Sequence, residues 1–499
     1  MKDVYKKVTT LASSKKFFYF VLLVLVFEGS WMALSSHYPM AFDEGYHFGL
    51  IKLYSHHISP WWNGQPLEAD VFGAVSRDPS YIYHWLMSFL YRLINLVIHK
   101  EIYQVILLRL INVAIFAGGL MLMRQLLLKA TKSHVVVNLS LLFFVLIPVI
   151  PSLAGQINYD NLLIGAGALV LLWTLSFVDT LRNKKQLDIK LLISLSILCL
   201  LSSLIKYAFL PIILTSIVFV LIHVCQVYRT RGRSIKRELK ASYKRLTGAT
   251  KIGLIVGFVI SGGLFLERYG INTVKYHTPV PECNQVLNIE RCHSYGPWRR
   301  NHNILKSRGQ PNSGTVEFTT VTFAQHWIYI LYRSMFYVLN GPDSGYIVGQ
   351  QLILPAKVAT LALLSGLCCL VAYWRQIFKR KPARVLLASV FVVYAVVLWL
   401  QNYADYLHLG QPVALQGRYL IPVLMPLIIL LAISINFALK NNLRAKVIIA
   451  STALLLFLQG GGIVTFIARS DDRWYITNSL SSRINKAIQP AIKRATIDQ

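Results

Sequence analysis

The chain has 499 residues, of which 55% are hydrophobic and 14% charged, and its mean hydropathy is +0.51. Soluble domains carry about 25% charged residues, so this composition excludes a disordered chain and argues against an ordinary soluble enzyme. Lys and Arg total 51 against 21 Asp and Glu, a formal charge of +30. In so apolar a chain that excess fits basic loops at a membrane better than nucleic-acid binding.

A transmembrane helix needs about 20 mostly apolar residues. Such runs lie at 17–36, 103–123, 135–153, 162–180, 189–204, 207–227, 252–266, 355–374, 385–401, 419–438 and 446–467. They predict an all-α, polytopic membrane protein, a single domain over 1–499 with about eleven transmembrane helices. Run 17–36 is too long for a cleavable signal peptide and has no small-residue cleavage site after it, so it reads as a retained first span.

Charge orients this layout. Segments 1–16, 124–134, 181–190, 228–251, 375–384 and 439–446 hold 29 of the 51 basic residues and three of the 21 acids. The positive-inside rule then predicts a cytoplasmic N-terminus, with 228–251 touching anionic lipid. Two large loops, 37–102 and 267–354, and the tail 468–499 fall on the outer side. Stretches 81–98 and 323–339 each carry a polar stripe and predict amphipathic helices on the outer surface. Counting both as spans is the competing arrangement. Cys283 and Cys292 lie in the second outer loop, while the other four cysteines fall in spans. The outer pair predicts a local disulfide, with two free thiols as the alternative.

In chain order, the chemistry begins at Ala41-Phe42-Asp43-Glu44-Gly45-Tyr46-His47, just after the first span. A helix starting at Asp43 puts His47 on its face one turn later. A carboxylate there suits a general base or a divalent cation, and equally suits ordinary capping of a helix N-terminus. Next comes Arg77-Asp78-Pro79-Ser80-Tyr81-Ile82-Tyr83-His84-Trp85. Asp78 suits a cap, and Tyr83 and His84 suit either interfacial anchoring or contact with a substrate carried along the bilayer. Asp160 follows in a short outer turn, where a cap is the plain alternative. Lys206, in the break between two spans, and Arg418, at the entry to another, are cations at the outer membrane level. Both suit a lipid phosphate, and snorkelling to headgroups is the alternative for Lys206. Gly417 leaves room for another group to approach its backbone.

The order of these features resembles the GT-C superfamily of membrane glycosyltransferases, which includes protein mannosyltransferases and the lipid A aminoarabinose transferase. The features are a first span, Asp43-Glu44 just outside it, a Pro-Tyr-Tyr-Trp surface helix, and Arg109-Leu110-Ile111-Asn112 opening the second span. Asn158-Tyr159-Asp160, Lys206-Tyr207 and Gln416-Gly417-Arg418-Tyr419 are similar to a bacterial family of GT-C-like membrane proteins without an assigned function. The resemblance covers roughly 17–466. It implies a polyprenyl-phosphate sugar donor, a glycan, lipid or protein acceptor, and an extracytoplasmic site. Asp43, with Glu44 beside it, would be base or metal ligand, and Lys206 and Arg418 would hold the donor phosphate. No cofactor is required; a divalent cation is compatible. One departure is Arg77-Asp78-Pro79-Ser80, where many relatives carry a double proline. The rival expectation is a transporter or lipid flippase, which would put charged residues such as Glu28 inside interrupted spans. A membrane scaffold, a third class, predicts no convergence of Asp43, Asp160, Lys206 and Arg418.

Overall fold

The computed structural model describes residues 2–184, 186–229, 235–308, 316–336, 353–440, 442–470 and 472–495. Among these residues the fold is helical, with one isolated antiparallel bridge between Ser36 and Tyr475. An N-terminal helix α1 (Lys2–Ser13) leads into the first span, α2 (Lys15–Ser35). Helices α3 (Glu44–Ser55) and α4 (Ile82–Val97) follow in the first large loop. The chain then forms α5 (Glu101–Ala130), α6 (His134–Val145), α7 (Val149–Ala154), α8 (Asp160–Asp179) and α9 (Ile189–Ser203). Next come α10 (Leu210–Arg229), α11 (Ile235–Lys244) and α12 (Gly248–Phe265). The second large loop holds α13 (Ile271–Tyr276), α14 (Cys283–Val286), α15 (Ile289–Cys292), α16 (Gly296–Ser307) and α17 (Thr320–Phe336). The rest comprises α18 (Leu354–Ala372), α19 (Trp374–Phe378), α20 (Pro382–Leu409), α21 (Ile421–Ala438), α22 (Leu443–Leu458), α23 (Ile463–Arg469) and α24 (Leu480–Ala495).

Nine helical stretches among the described residues are long and apolar enough to cross a membrane: Lys15–Ser35, Glu101–Ala130, Asp160–Asn183, Tyr207–Arg229, Gly248–Tyr276, Leu354–Ala372, Pro382–Leu409, Gly417–Ala438 and Leu443–Arg469. They make this a multi-pass membrane protein. The other two expected spans are shorter apolar helices, α6 with 12 residues and α9 with 15. At 1.5 Å per residue even α9 rises only roughly 22 Å, short of a hydrocarbon core of about 30 Å. The expected span 135–153 is divided because α6 stops at Val145 and the chain turns through Pro148, whose ring cannot continue the preceding hydrogen-bond ladder.

Both stretches expected to lie on the outer surface are helical, as α4 and α17; positions 337–339 of the second lie outside the described residues. The polar stripe of α4 turns inward, whereas in that of α17 Ser334 is buried, Arg333 half-buried and Gln325 exposed. Tyr83, His84 and Ser88 of α4 are buried, whereas Leu86, Leu93, Leu96 and Val97 of α4 are exposed. A helix with its apolar side outward and its polar side against protein suits lipid surroundings.

The C-terminal end of α2, the N-terminal end of α8, the C-terminal end of α9 and the N-terminal end of α21 meet at one end of the bundle. Contacts of Asp43, Asp160, Lys206 and Arg418 tie them together there. At the opposite end, Asn138 donates to Ala12 O and Lys129 pairs with Asp179.

Candidate functional site

The turn after α2 runs through two consecutive left-handed residues, Phe42 and Asp43, each with φ of 67°. That conformation is strained for a bulky side chain and is held by its surroundings. Phe42 O accepts from Arg418 Nη1 at 2.9 Å and from Asn158 Nδ2 at 3.1 Å. Asp43 stands at the N-cap of α3, but its side chain does not bond the helix. Its Oδ2 instead takes Arg418 Nη2 at 2.6 Å. The Asp43 side chain is 63% exposed and that of Arg418 4%. A buried guanidinium thus aims an open carboxylate.

Arg418 is set by its neighbour. Gly417 N–H donates to Ser334 Oγ at 2.6 Å, and a Cβ on Gly417 would lie 2.2 Å from Leu331 O. The room at Gly417 is therefore filled by α17 of the same chain. The guanidinium lies over Phe42 at 4.7 Å and near Tyr419 at 5.3 Å.

Lys206 does not snorkel. Its Nζ bonds Asp160 Oδ1 at 2.8 Å, and both side chains are buried. The ammonium sits 4.5 Å from the Tyr159 ring and 5.2 Å from that of Tyr419, so Tyr419 touches both cations. Burial pulls the Lys206 ammonium below its ordinary value; Asp160 opposes this and Arg418 adds to it. Asp160 opens α8 without capping it.

Behind Tyr159 lie two buried imidazoles. His47 Nδ1 and His84 Nε2 are 2.9 Å apart, and the rings stack at 15°. Burial pulls His84 down to about 3. It also holds His47 well below its usual range, with repulsion from His84, Arg418 and Lys206 adding to the effect. Both rings are neutral at ordinary pH, and one donates to the other. Asp78 is not a helix cap for α4. Its Oδ1 accepts Ser80 N–H at 2.8 Å and its Oδ2 faces Tyr46 Oη at 3.4 Å. Burial raises its carboxyl.

Two candidates must be corrected. Glu44 is fully buried and both its oxygens are occupied. Arg109 Nε reaches Oε1 at 2.8 Å and Nη2 reaches Oε2 at 2.7 Å, while the N–H groups of Ile157 and Met40 complete the set at 3.1 and 2.8 Å. No lone pair faces outward for a metal or a proton, so Glu44 is a structural anion. Tyr83 is equally enclosed, and its hydroxyl donates to Asn112 Oδ1 at 2.9 Å rather than facing a substrate. Among the described residues no group of three or more His, Cys, Asp or Glu has the geometry of a metal site.

Sequence reasoning missed Arg109 as an actor. It also holds Ala33 O, Ser36 O and His37 O, tying the end of α2 to α5. The signal was an arginine inside an otherwise apolar span, which needs an internal partner. It also missed the tyrosines. Tyr159, Tyr207 and Tyr419 each adjoin a charged candidate in the chain, and Tyr159 and Tyr419 form the rings against which the cations rest.

A further tyrosine arrives from the second large loop. Cys283 and Cys292 are disulfide-bonded, with Cα atoms 5.8 Å apart. Arg291, in the enclosed segment, forks onto Asp70 with two 2.7 Å bonds. Tyr295 then lies near Tyr46, their rings tilted at 39° with centres 6.5 Å apart, beside the Asp78 carboxyl. A cavity of about 670 Å³, lined by Lys52, His56, His57, Trp62, Gln65 and Phe72 among others, lies apart and contains none of the sequence candidates.

No protein-family model matches the chain, and no curated protein matches it in sequence.

Proposed function

We propose that the chain is a GT-C-like membrane glycosyltransferase that moves a sugar from a polyprenyl phosphate to an acceptor hydroxyl at the extracytoplasmic face. The observation that carries this reading is Asp43, an exposed carboxylate on a strained turn. Arg418 fixes it, the helix it precedes does not use it, and the Lys206–Asp160 pair lies behind it. Ordinary capping leaves that arrangement without a reason.

In the reaction, the donor phosphate draws Arg418 onto its oxygens, since guanidinium forks suit phosphate. Asp43 is released from its ion pair and accepts the proton of the acceptor hydroxyl. The hydroxyl oxygen bonds to the anomeric carbon as the carbon–oxygen bond to phosphate breaks, inverting that centre in one displacement. Polyprenyl phosphate leaves as the anion, stabilised by Arg418, while buried Lys206 supplies positive potential from behind Tyr419. Tyr46, Tyr159, Tyr295 and Tyr419 give the sugar aromatic and hydroxyl walls. Acceptors are a glycan, lipid or protein, and a divalent cation is not required by the chemistry.

The test is incubation of membranes bearing the chain with labelled polyprenyl-phosphate sugars. Transfer above chain-free membranes is expected. Arg418→Ala should raise the donor KM at least tenfold, the effect of losing roughly one charge-assisted bond of 1.5–3 kcal/mol. Transfer indifferent to Arg418→Ala would contradict the phosphate role.

A second reading, a transporter or lipid flippase, has one observation in its favour: Glu28 is buried inside a span opposite an interrupted helix. Lipid scrambling by the purified protein in vesicles, without transfer, would favour it.

A further inference from the structure

Glycosyl transfer makes no use of Glu28, the acid within the first span. It is 7% exposed and faces a place where two helices are interrupted. Helix α6 stops at Val145 and α7 begins at Val149; α22 stops at Leu458 and α23 begins at Ile463. The interruptions meet, because Gly462 N–H donates to Leu146 O at 2.6 Å. Glu28 is fitted to the second of them. Its Oε1 accepts Ile463 N–H at 3.4 Å. Gly462 has φ of 57°, and a Cβ there would stand 1.9 Å from that same oxygen. A glycine is needed both for the backbone and for the carboxyl.

Capping the first turn of α23 accounts for one oxygen of Glu28. The other, Oε2, is buried without a hydrogen-bond partner, and so is Oε1 of Gln459 at the C-cap of α22. Among the described residues no basic side chain pairs with Glu28. Arg109 of α5 is committed to Glu44. Helix α7 has no charged residue, and His134 of α6 lies at that helix's far end beside Arg124. Arg444 and Lys446 stand at the opposite end of α22, and Arg469 at the far end of α23. A lone carboxylate charge in a membrane interior is very costly, so something must neutralise it. Interrupted membrane helices free backbone carbonyls and commonly house small cations.

We propose that Glu28 and the interruption at 459–462 form a membrane-embedded site for one monovalent cation, a proton or an alkali ion. The shared chemistry is a single positive charge on the free Oε2. The site does not rest on glycosyl transfer.

The test uses the full chain in phospholipid nanodiscs and infrared difference spectra of wild type against Glu28→Gln, which keeps the shape and an acceptor for Ile463. A bound proton predicts a protonated-carboxyl C=O stretch that is lost in the variant, fades as pH is raised, and ignores exchange of sodium for choline. A bound alkali ion predicts a carboxylate stretch that shifts on that exchange. A carboxylate band indifferent to both pH and alkali ions overturns the proposal. A second measurement needs only wild type: dicyclohexylcarbodiimide, which attacks protonated carboxyls in apolar surroundings. Labelling of Glu28 in both sodium and choline indicates a proton, and labelling in choline alone indicates an alkali ion. Absence of labelling in both contradicts the site.

Discussion

Asp43 and Glu44 are neighbours in the chain with opposite circumstances. Asp43 is open, and its ion pair is half in solvent, so its worth to stability is small. Asp43→Asn should leave the melting temperature nearly unchanged. Glu44 answers a buried Arg109, and Glu44→Gln leaves that cation underpaired; removing one partner of a buried pair costs roughly 3–5 kcal/mol. Thermal unfolding of purified protein should show a large loss for Glu44→Gln alone; equal melting of the two variants would reverse the assignment. The imidazoles add a pH dependence. Folded His84 titrates at about 3 against an ordinary 6.5, so below 6.5 the unfolded chain takes up a proton that the folded chain refuses. Stability from this residue is full above 6.5 and is lost as pH falls towards 3. His84→Gln should flatten the decline of melting temperature over that window. At this scale the sequence pointed to the acids but could not rank them. Which of two adjacent carboxylates turns inward depends on Arg109, 65 residues away from Glu44, and on a strained turn that no residue type announces.

Helices set these residues by their ends and by where they approach closely. Gly417 is the sharpest case: a methyl there meets Leu331 O and Ser334 Oγ of α17, which must move. Gly417→Ala should therefore shift Arg418 and weaken donor use, with a rise in KM, although position 417 touches no substrate. Unchanged donor affinity would show that α17 yields freely. Helix type and order were legible, since long apolar runs have few alternatives. The division at Pro148 and the shortness of α9 were less so, because apolar composition continues across both breaks. The polar stripe of α4 was also legible, but its direction was not. In water a polar stripe faces out; beside lipid, His84 and Ser88 face the protein.

For the whole molecule, the alternation of basic loops predicts which end is outside. Asp43, Asp160, Lys206 and Arg418 come from four separate chain regions and converge on one end, as a common side for their loops requires. An introduced cysteine at Lys244, on the exposed side of α11, should resist impermeant reagents in intact cells, and one at exposed Ser294 should react. The reverse pattern would turn the bundle over and put the site in the cytoplasm. The central claim is that Asp43 is the base for sugar transfer, and one comparison tests it most directly. Membranes holding equal amounts of folded wild type and Asp43→Asn are given a labelled polyprenyl-phosphate sugar and the rate of transfer is measured. Loss of a general base predicts a fall of about 10²–10⁴-fold at unchanged stability. Transfer by Asp43→Asn at the wild-type rate would contradict it.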